Sequence, residues 1–336
     1  MRRSLLRLRI PLRRPFVTAG GVVAARELVV LRLEDDDGAV GCGEAAPLEP
    51  YDGVSVERVI RALQDGARGG PPQAHAAEEM ARLDLEARRA GRPLGEPGAV
   101  AIAVNLTLPA GPPDEVAARA GAGVRAGYSC FKVKVGLPDD LERVRAVRAA
   151  VGPWPALRLD ANGAWTPAEA IRAVAALAPF DIQLVEQPCR SLEEMAVVRR
   201  AVPMPLAADE SIASPADVRA AARARACDVV NIKLAGSGGF GAAREAIREA
   251  ECCGLRAYLS STLDGPWGIA AALQLAASEG VSLACGLATL QLFDARIARA
   301  LPAPTGGLLA VPEGPGLGVT VDDDALAEVL VEELEQ

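Results

Sequence analysis

Aromatic residues make up only 3% of this 336-residue chain, although half of it is hydrophobic. The interior must therefore be built chiefly from Ala, Val and Leu, and helices rich in Ala, Arg and Glu are expected. His75 is the only histidine. It falls in an N-terminal helical stretch, reads as an ordinary helix residue, and leaves no His-Asp catalytic dyad. Seven cysteines are present (Cys42, Cys130, Cys189, Cys227, Cys252, Cys253 and Cys285), an odd number with an adjacent pair and no C-x-x-C. Neither a disulfide framework nor a zinc site is expected; the thiols read as core fillers and a reducing cytoplasm as the compartment. No long apolar run follows the basic start MRRSLLRLRIPLRRP, whose Arg and Leu roughly alternate, so it reads as a strand and not as a signal or membrane anchor. The net charge of −8 is spread along the chain and forms no basic face, which argues against nucleic acid as a partner.

Scarcest within its chemical class is lysine. Of 36 basic residues three are lysines (Lys132, Lys134 and Lys233), leaving 33 arginines. Guanidinium stays protonated at any workable pH, whereas an ε-amine can lose its proton when burial or nearby cations weaken its hold. A chain that uses Arg almost everywhere and keeps Lys at three places has reserved those places for a group that titrates.

What is abundant is a repeating pattern. From about residue 100 a short apolar strand ending in a polar or charged residue alternates with an Ala-rich helical stretch. The expected strands are Ala101 to Leu106, Phe131 to Val135, Leu157 to Asp160, Gln183 to Glu186, Leu206 to Asp209, Val229 to Lys233, Ala257 to Ser260 and Leu283 to Cys285. The charged ends Lys134, Asp160, Glu186, Asp209 and Lys233 are separated by 26, 26, 23 and 24 residues, each about one βα unit. The expected fold class is α/β, a TIM-type (β/α)8 barrel over 99–307, with an N-terminal α+β capping domain over 1–98 that 308–336 rejoins. In the cap, Glu27 to Glu34 and Val40 to Ala45 read as strands about the turn DDDG, Val54 to Ala90 as mostly helix, and the Pro/Gly-rich 92–98 as a linker.

Three carboxylates, Asp160, Glu186 and Asp209, end three successive strands and so face the barrel mouth, where such folds carry their chemistry. Converging there unpaired they would repel one another, and a hard divalent cation held by oxygen ligands, Mg²⁺, resolves the conflict. Lys132 and Lys134, two residues apart, share one strand face with Lys132 the deeper, and Lys233 approaches from the opposite side. Arg158 lies beneath Asp160 and, if buried, must be paired with the metal-binding carboxylates or a substrate carboxylate. A carboxylate substrate held at the cation would place its α-carbon between two amines, so proton abstraction next to a carboxylate is the expected chemistry. The cluster Gly236-Ser237-Gly238-Gly239 reads as a loop more readily than as a phosphate cradle.

FKVKVG, LRLDANGAW, VEQP, ADES and NIKLAGSGG resemble, in order and spacing, the motifs of the muconate-lactonizing subgroup of the enolase superfamily. GEAAPLEPYDG, SSTLDGPWG and ACGLAT are most similar to its o-succinylbenzoate synthase branch, whose members are dehydratases; N-succinylamino acid racemases and dipeptide epimerases share the lysines. The resemblance implies Mg²⁺ at Asp160, Glu186 and Asp209, Lys134 as the base that returns its proton to a departing hydroxyl, and Lys233 as an electrostatic stabiliser. It also implies specificity loops at 15–20 and 47–53 and a pocket lined by Tyr51, Ser260, Ser261 and Gly286. One departure stands out: Leu263-Asp264-Gly265 follows Thr262 where the family often carries an acidic-serine pair.

Overall fold

The alternating Arg and Leu at the start do form a strand, because Leu6, Leu8, Ile10 and Leu12 face a core while Arg7, Arg9 and Arg13 lie on the opposite, more exposed face. In a computed structural model, which describes residues 1–336 apart from 19, 20, 97, 295, 296, 298–300, 302 and 336, β1 (Arg2–Thr18) and β2 (Gly21–Glu34) lie antiparallel, β3 (Val40–Ala45) flanks β2, and β13 (Leu330–Glu335) flanks β1. Leu5, Val29, Leu31 and Leu33 pack on α2 (Val56–Gln64) and α3 (Pro72–Arg89). Leu6, Leu8, Leu28 and Val30 point the other way, into the large core shared with the barrel. A sheet buried on both faces reads as nearly continuous hydrophobic sequence, as LVVLRL in β2 does. Gly41 and Gly43 let β3 lie against α3, where a Cβ at Gly43 would run into the Ala77 carbonyl. The expected long helix is broken between α2 and α3, where Gly66, Ala67 and Gly69 all take left-handed φ.

The barrel strands run in sequence order through one parallel sheet: β5 (Leu106–Leu108), β6 (Cys130–Lys134), β7 (Ala156–Asp160), β8 (Ile182–Glu186), β9 (Leu206–Ala208), β10 (Val229–Ile232) and β11 (Arg256–Leu259). The helices between them are α4 (Pro113–Arg125), α5 (Asp140–Val151), α6 (Pro167–Leu177), α7 (Leu192–Ala201), α8 (Pro215–Ala224), the single turn α9 (Leu234–Ser237), and α10 (Phe240–Cys252), with α11 (Pro266–Ser278) after β11. Thr166 with Glu169 and Ser191 with Glu194 form capping boxes that start α6 and α7. The fold is the expected TIM-type barrel. No helix among the described residues is long and apolar enough to cross a membrane.

Two of the expected strands need correction. Residues 101–103 form β4 (Ala101–Ala103), which pairs antiparallel with β12 (Leu308–Ala310) outside the barrel sheet, and the first barrel strand is displaced to 106–108. The eighth strand is reduced to isolated parallel bridges, Val104 with Cys285 and Ser260 with Gly286, which close the ring. The Ala284 carbonyl in that segment accepts from the Arg158 guanidinium at 2.7 Å in place of a ladder partner.

The N-terminal layer meets the barrel through two carboxylates set at helix N-termini. Glu44 on β3 accepts from the amides of Gly265 (2.7 Å) and Gly268 (3.3 Å) at the start of α11, and Glu79 on α3 accepts from Gly241 at the start of α10 (3.1 Å). The free amides and the helix dipole favour the charged form at both ends, but burial works against it and prevails, pushing both carboxyls up. The glycine cluster at 236–239 therefore faces a carboxylate of the same chain, since a Cβ at Gly239 would strike Glu79. The turn α1 (Glu49–Asp52), stopped by left-handed Gly53, carries Tyr51 over the barrel mouth. Behind it the buried Arg26 donates to the carbonyls of Pro47 (2.7 Å), Ala46 (3.2 Å) and Leu263 (3.2 Å), tying this turn to the loop after β11.

Candidate active site

Neighbouring parallel strands in register bring Lys134 beside Asp160 and Asp160 beside Glu186, while Asp209 follows the last residue of β9. All three carboxylates are buried, as are Lys132 and Lys134, and every charge is met by an opposite one. Lys132 Nζ lies 2.9 Å from Asp160 Oδ2 and 3.0 Å from both oxygens of Glu186. Lys134 Nζ donates to Asp160 Oδ2 at 2.7 Å and to Asn162 Oδ1 at 2.8 Å. Across the mouth Lys233 donates to Asp209 Oδ1 and, at 2.8 Å, to the Tyr51 hydroxyl, above whose ring it also sits.

These contacts set the titration of the group. Burial pushes the Asp160 carboxyl up, but the ammoniums of Lys132 and Lys134 overcome it and hold the group well below the usual carboxylate range. Glu186 and Asp209 stay above that range, because burial outweighs the relief from Lys132 and Lys233. Burial works against the charge of Lys132 and Lys233, yet the carboxylates around each raise its hold on the proton. Burial and the neighbouring carboxylates push the Tyr51 phenol far up, so its hydroxyl stays protonated.

The site opens into a cavity of about 660 Å³ whose wall includes Tyr51, Lys134, Lys233, Ser260, Ser261 and Gly286. Both loops expected to shape specificity border it, one through Phe16 and the other through Leu48, Pro50 and Tyr51, and Val22 and Val23 of β2 line it as well. Of the first loop, 15–18 belong to β1, and residues 19 and 20 lie outside the described residues. Ser261 and Thr289 share a hydroxyl hydrogen bond of 2.7 Å, and the buried Ser260 Oγ has no partner among the described residues. Asp264 is buried behind the wall and accepts from the amide and hydroxyl of Thr262.

Arg158 departs from its expected role. It is buried, but its partners are neutral: Gln183 Oε1 at 2.7 Å, the Ala284 carbonyl, and the face of Tyr258, with the guanidinium carbon 4.9 Å from the ring centroid. Its side chain runs under the barrel wall toward the eighth segment, and it does not border the cavity. Tyr258 and Gln187 escaped the sequence reading, whereas Asn231 is where strand alternation puts it, on the face of its strand that carries Lys233. Tyr258 donates to Glu186 Oε2 at 2.7 Å, and Asn231 to Glu186 Oε1 at 3.0 Å. Gln187, held at a left-handed φ of 35°, accepts from the Asp209 amide at 2.8 Å and so fixes the backbone that carries Asp209. Such strain in a non-glycine residue clusters at functional sites, and the Q of VEQP was its only trace in the sequence.

The donor chemistry suits a hard divalent ion: three buried carboxylates on successive strands, with no sulfur or imidazole among them. Among the described residues no three His, Cys, Asp or Glu side chains are gathered about one point. Here Asp160 and Glu186 turn to Lys132, and Asp209 turns to Lys233, so an ion would have to draw the carboxylates away from their ammoniums.

A family model described as Enolase C-terminal domain-like matches residues 115–325. The chain belongs to the enolase superfamily. It is an enzyme of that superfamily, whose reactions are metal-dependent and begin with removal of a proton α to a carboxylate. It is 38% identical over 299 residues to an o-succinylbenzoate synthase of Thermobifida fusca, covering 86% of this chain and 90% of the relative. It is 32% identical over 351 residues to an L-Ala-D/L-Glu epimerase of Bacillus subtilis, covering 93% and 94%. Among solved structures, a dipeptide epimerase of Cytophaga hutchinsonii, complexed with Mg and a dipeptide, superposes with a TM-score of 0.91 at 27% identity, covering 100% of this chain and 99% of the other.

Proposed function

We propose that the enzyme is an o-succinylbenzoate synthase, dehydrating 2-succinyl-6-hydroxy-2,4-cyclohexadiene-1-carboxylate to 2-succinylbenzoate for menaquinone biosynthesis. The observation that carries this reading is the 38% identity to the Thermobifida fusca synthase, joined to the motifs GEAAPLEPYDG, SSTLDGPWG and ACGLAT that border the cavity. In this reading residues 1–98 with 308–336 form the capping domain and 99–307 the catalytic barrel.

Asp160, Glu186 and Asp209 would hold Mg²⁺, whose charge favours the build-up of negative charge on the substrate carboxylate. Lys134, as the free amine, takes the proton from the carbon bearing that carboxylate. Its ammonium then gives the proton to the hydroxyl leaving the adjacent ring carbon, so water departs and the ring becomes aromatic. Lys233 stays an ammonium on the opposite face and balances the charge on the carboxylate while the proton is away. Lys132 keeps Asp160 and Glu186 in place beneath. Tyr51, Ser260, Ser261 and the side-chain-free Gly286 leave room for the succinyl arm; a Cβ at Gly286 would come within 2.8 Å of Ser260 Cβ.

The second reading, a dipeptide epimerase or N-succinylamino acid racemase, is favoured by the 32% identity to the Bacillus subtilis epimerase, which spans more of the chain. It requires both Lys134 and Lys233 to exchange protons with one α-carbon. Measuring kcat/KM for the diene dehydration and for racemisation of N-succinylamino acids and dipeptides in parallel separates the two. Racemisation or epimerisation faster by more than about tenfold, roughly 1.4 kcal/mol in transition-state binding, would remove dehydration as the main activity.

A further inference from the structure

Glu186 is the most completely held of the three carboxylates. Oε1 accepts from Lys132 and Asn231, each at 3.0 Å, and Oε2 from Lys132 at 3.0 Å and Tyr258 at 2.7 Å. Its donors come from two sides: the charged Lys132 from β6, and the neutral Asn231 and Tyr258 from β10 and β11, where they are register partners. Neutral donors leave the charge of the carboxylate available to a cation, whereas an ammonium cancels it. Tyr258 is fully buried and cannot swing away, because the Arg158 guanidinium lies over its ring and is itself anchored to Gln183 and the Ala284 carbonyl. The chain thus runs from the segment that closes the barrel, through Arg158 and Tyr258, to one carboxylate oxygen.

We propose that Tyr258 is a positioning residue for divalent-cation binding: its neutral hydroxyl keeps hold of one oxygen of Glu186, so that the carboxylate stays anchored when an ion draws it away from the Lys132 ammonium. This rests on the reading that Asp160, Glu186 and Asp209 hold the ion. Hydrogen-bond partners behind metal ligands are worth about 10- to 100-fold in affinity when removed. Lys132 cannot substitute, since an arriving cation repels its ammonium, and Asn231 reaches only the other oxygen.

The test is calorimetric titration of MgCl2 into the metal-free full-length protein without substrate, for wild type, Tyr258→Phe and, as a control, Tyr128→Phe, whose hydroxyl meets Gln291 outside the site. Tyr258→Phe is expected to bind Mg²⁺ at least about tenfold more weakly with an unchanged far-ultraviolet spectrum, and Tyr128→Phe to bind as wild type does. Binding by Tyr258→Phe within twofold of wild type overturns the inference while leaving the metal site standing. A wild type that binds no Mg²⁺ sinks the metal site and this inference with it. Should Tyr258→Phe fail to fold, 3-fluorotyrosine in the otherwise wild-type chain, which has three tyrosines, gives the same answer. The fluorine resonance of residue 258 should shift saturably with Mg²⁺, and an unmoved resonance rejects the inference.

Discussion

Replacing Lys132 with Met keeps the length and apolar stem of the side chain and deletes one buried positive charge that two buried carboxylates share. At about 3 Å and an effective permittivity of about 20, each contact is worth roughly 5 kcal/mol of attraction before desolvation. Burying the ammonium costs several kcal/mol in return, and breaking a buried pair by removing one partner has a net cost of about 3 to 5 kcal/mol. The lower end applies here, for two reasons visible in the structure. Asp160 keeps Lys134 at 2.7 Å, and Glu186 keeps the hydrogen bonds of Asn231 and Tyr258 and, already above the usual carboxylate range, can take up a proton. A loss of about 3 kcal/mol in a chain of this size lowers the melting temperature by roughly 4 °C. The measurement is thermal unfolding of metal-free protein at pH 7.5 followed by circular dichroism. The deficit should shrink as pH falls, because burial already pushes the Glu186 carboxyl up and the loss of Lys132 pushes it further, so that it takes up a proton more readily. A melting temperature within 1 °C of wild type at pH 7.5 would refute the reasoning, for it would mean that the carboxylates never needed the ammonium.

Lys134→Arg should fold as wild type does and lose at least about 100-fold in exchange of the substrate α-proton with deuterated solvent, because a guanidinium cannot act as a base at neutral pH; near-normal exchange would move the role of base to Lys233. Gly43→Ala forces a Cβ into the Ala77 carbonyl of α3, a backbone atom that cannot step aside, and urea unfolding should show a loss of about 1 to 3 kcal/mol. Burial, aided by Asp264, pushes the Glu44 carboxyl up to about 8, so its protonated form is favoured by folding. The stability that this brings is complete below the ordinary carboxylate range and is lost as pH rises through about 8. The melting temperature of Glu44→Gln relative to wild type should therefore climb between pH 5 and pH 9, and a constant difference would count against it.

The barrel was legible because every βα unit must return to the same face before it can place a functional group there, which leaves charged strand ends at intervals of 23 to 26 residues. The lysines were legible for a different reason: in a chain that otherwise uses arginine, each one marks a need that arginine does not meet. What was not legible depended on partners far away in sequence. AIAVNLTL is apolar but for Asn105 and Thr107, so nothing in it tells that residues 101–103 would leave the barrel to pair with 308–310. The eighth strand looked like the others, but its pairing is interrupted where Arg158 takes the Ala284 carbonyl, a contact across 126 residues. The same contact explains the error over Arg158, for burial implied a partner without saying whether that partner was charged. Tyr258 reads as an ordinary strand residue until the curvature of the sheet brings it to Glu186; alternation places Asn231 on the face of Lys233 but does not name its partner.

The pairing of β13 with β1, Ser4 opposite Glu335 and Leu8 opposite Leu330, imposes an order of events on vectorial synthesis. β1 and β2 leave the ribosome before the barrel strands and can form a hairpin at once, yet the outer edge of β1 waits for a segment made about 300 residues later, roughly 15 to 60 s at ordinary elongation rates. During that interval an unpaired strand edge, guarded only by the arginines of β1, stands open to any extended chain nearby. Every barrel strand has been made by the time β13 emerges, so the layer that carries Tyr51 over the mouth is sealed after the machinery beneath it. A circularly permuted chain that joins β13 directly to β1 would shorten this exposure, and nascent-chain aggregation is where the gain would appear.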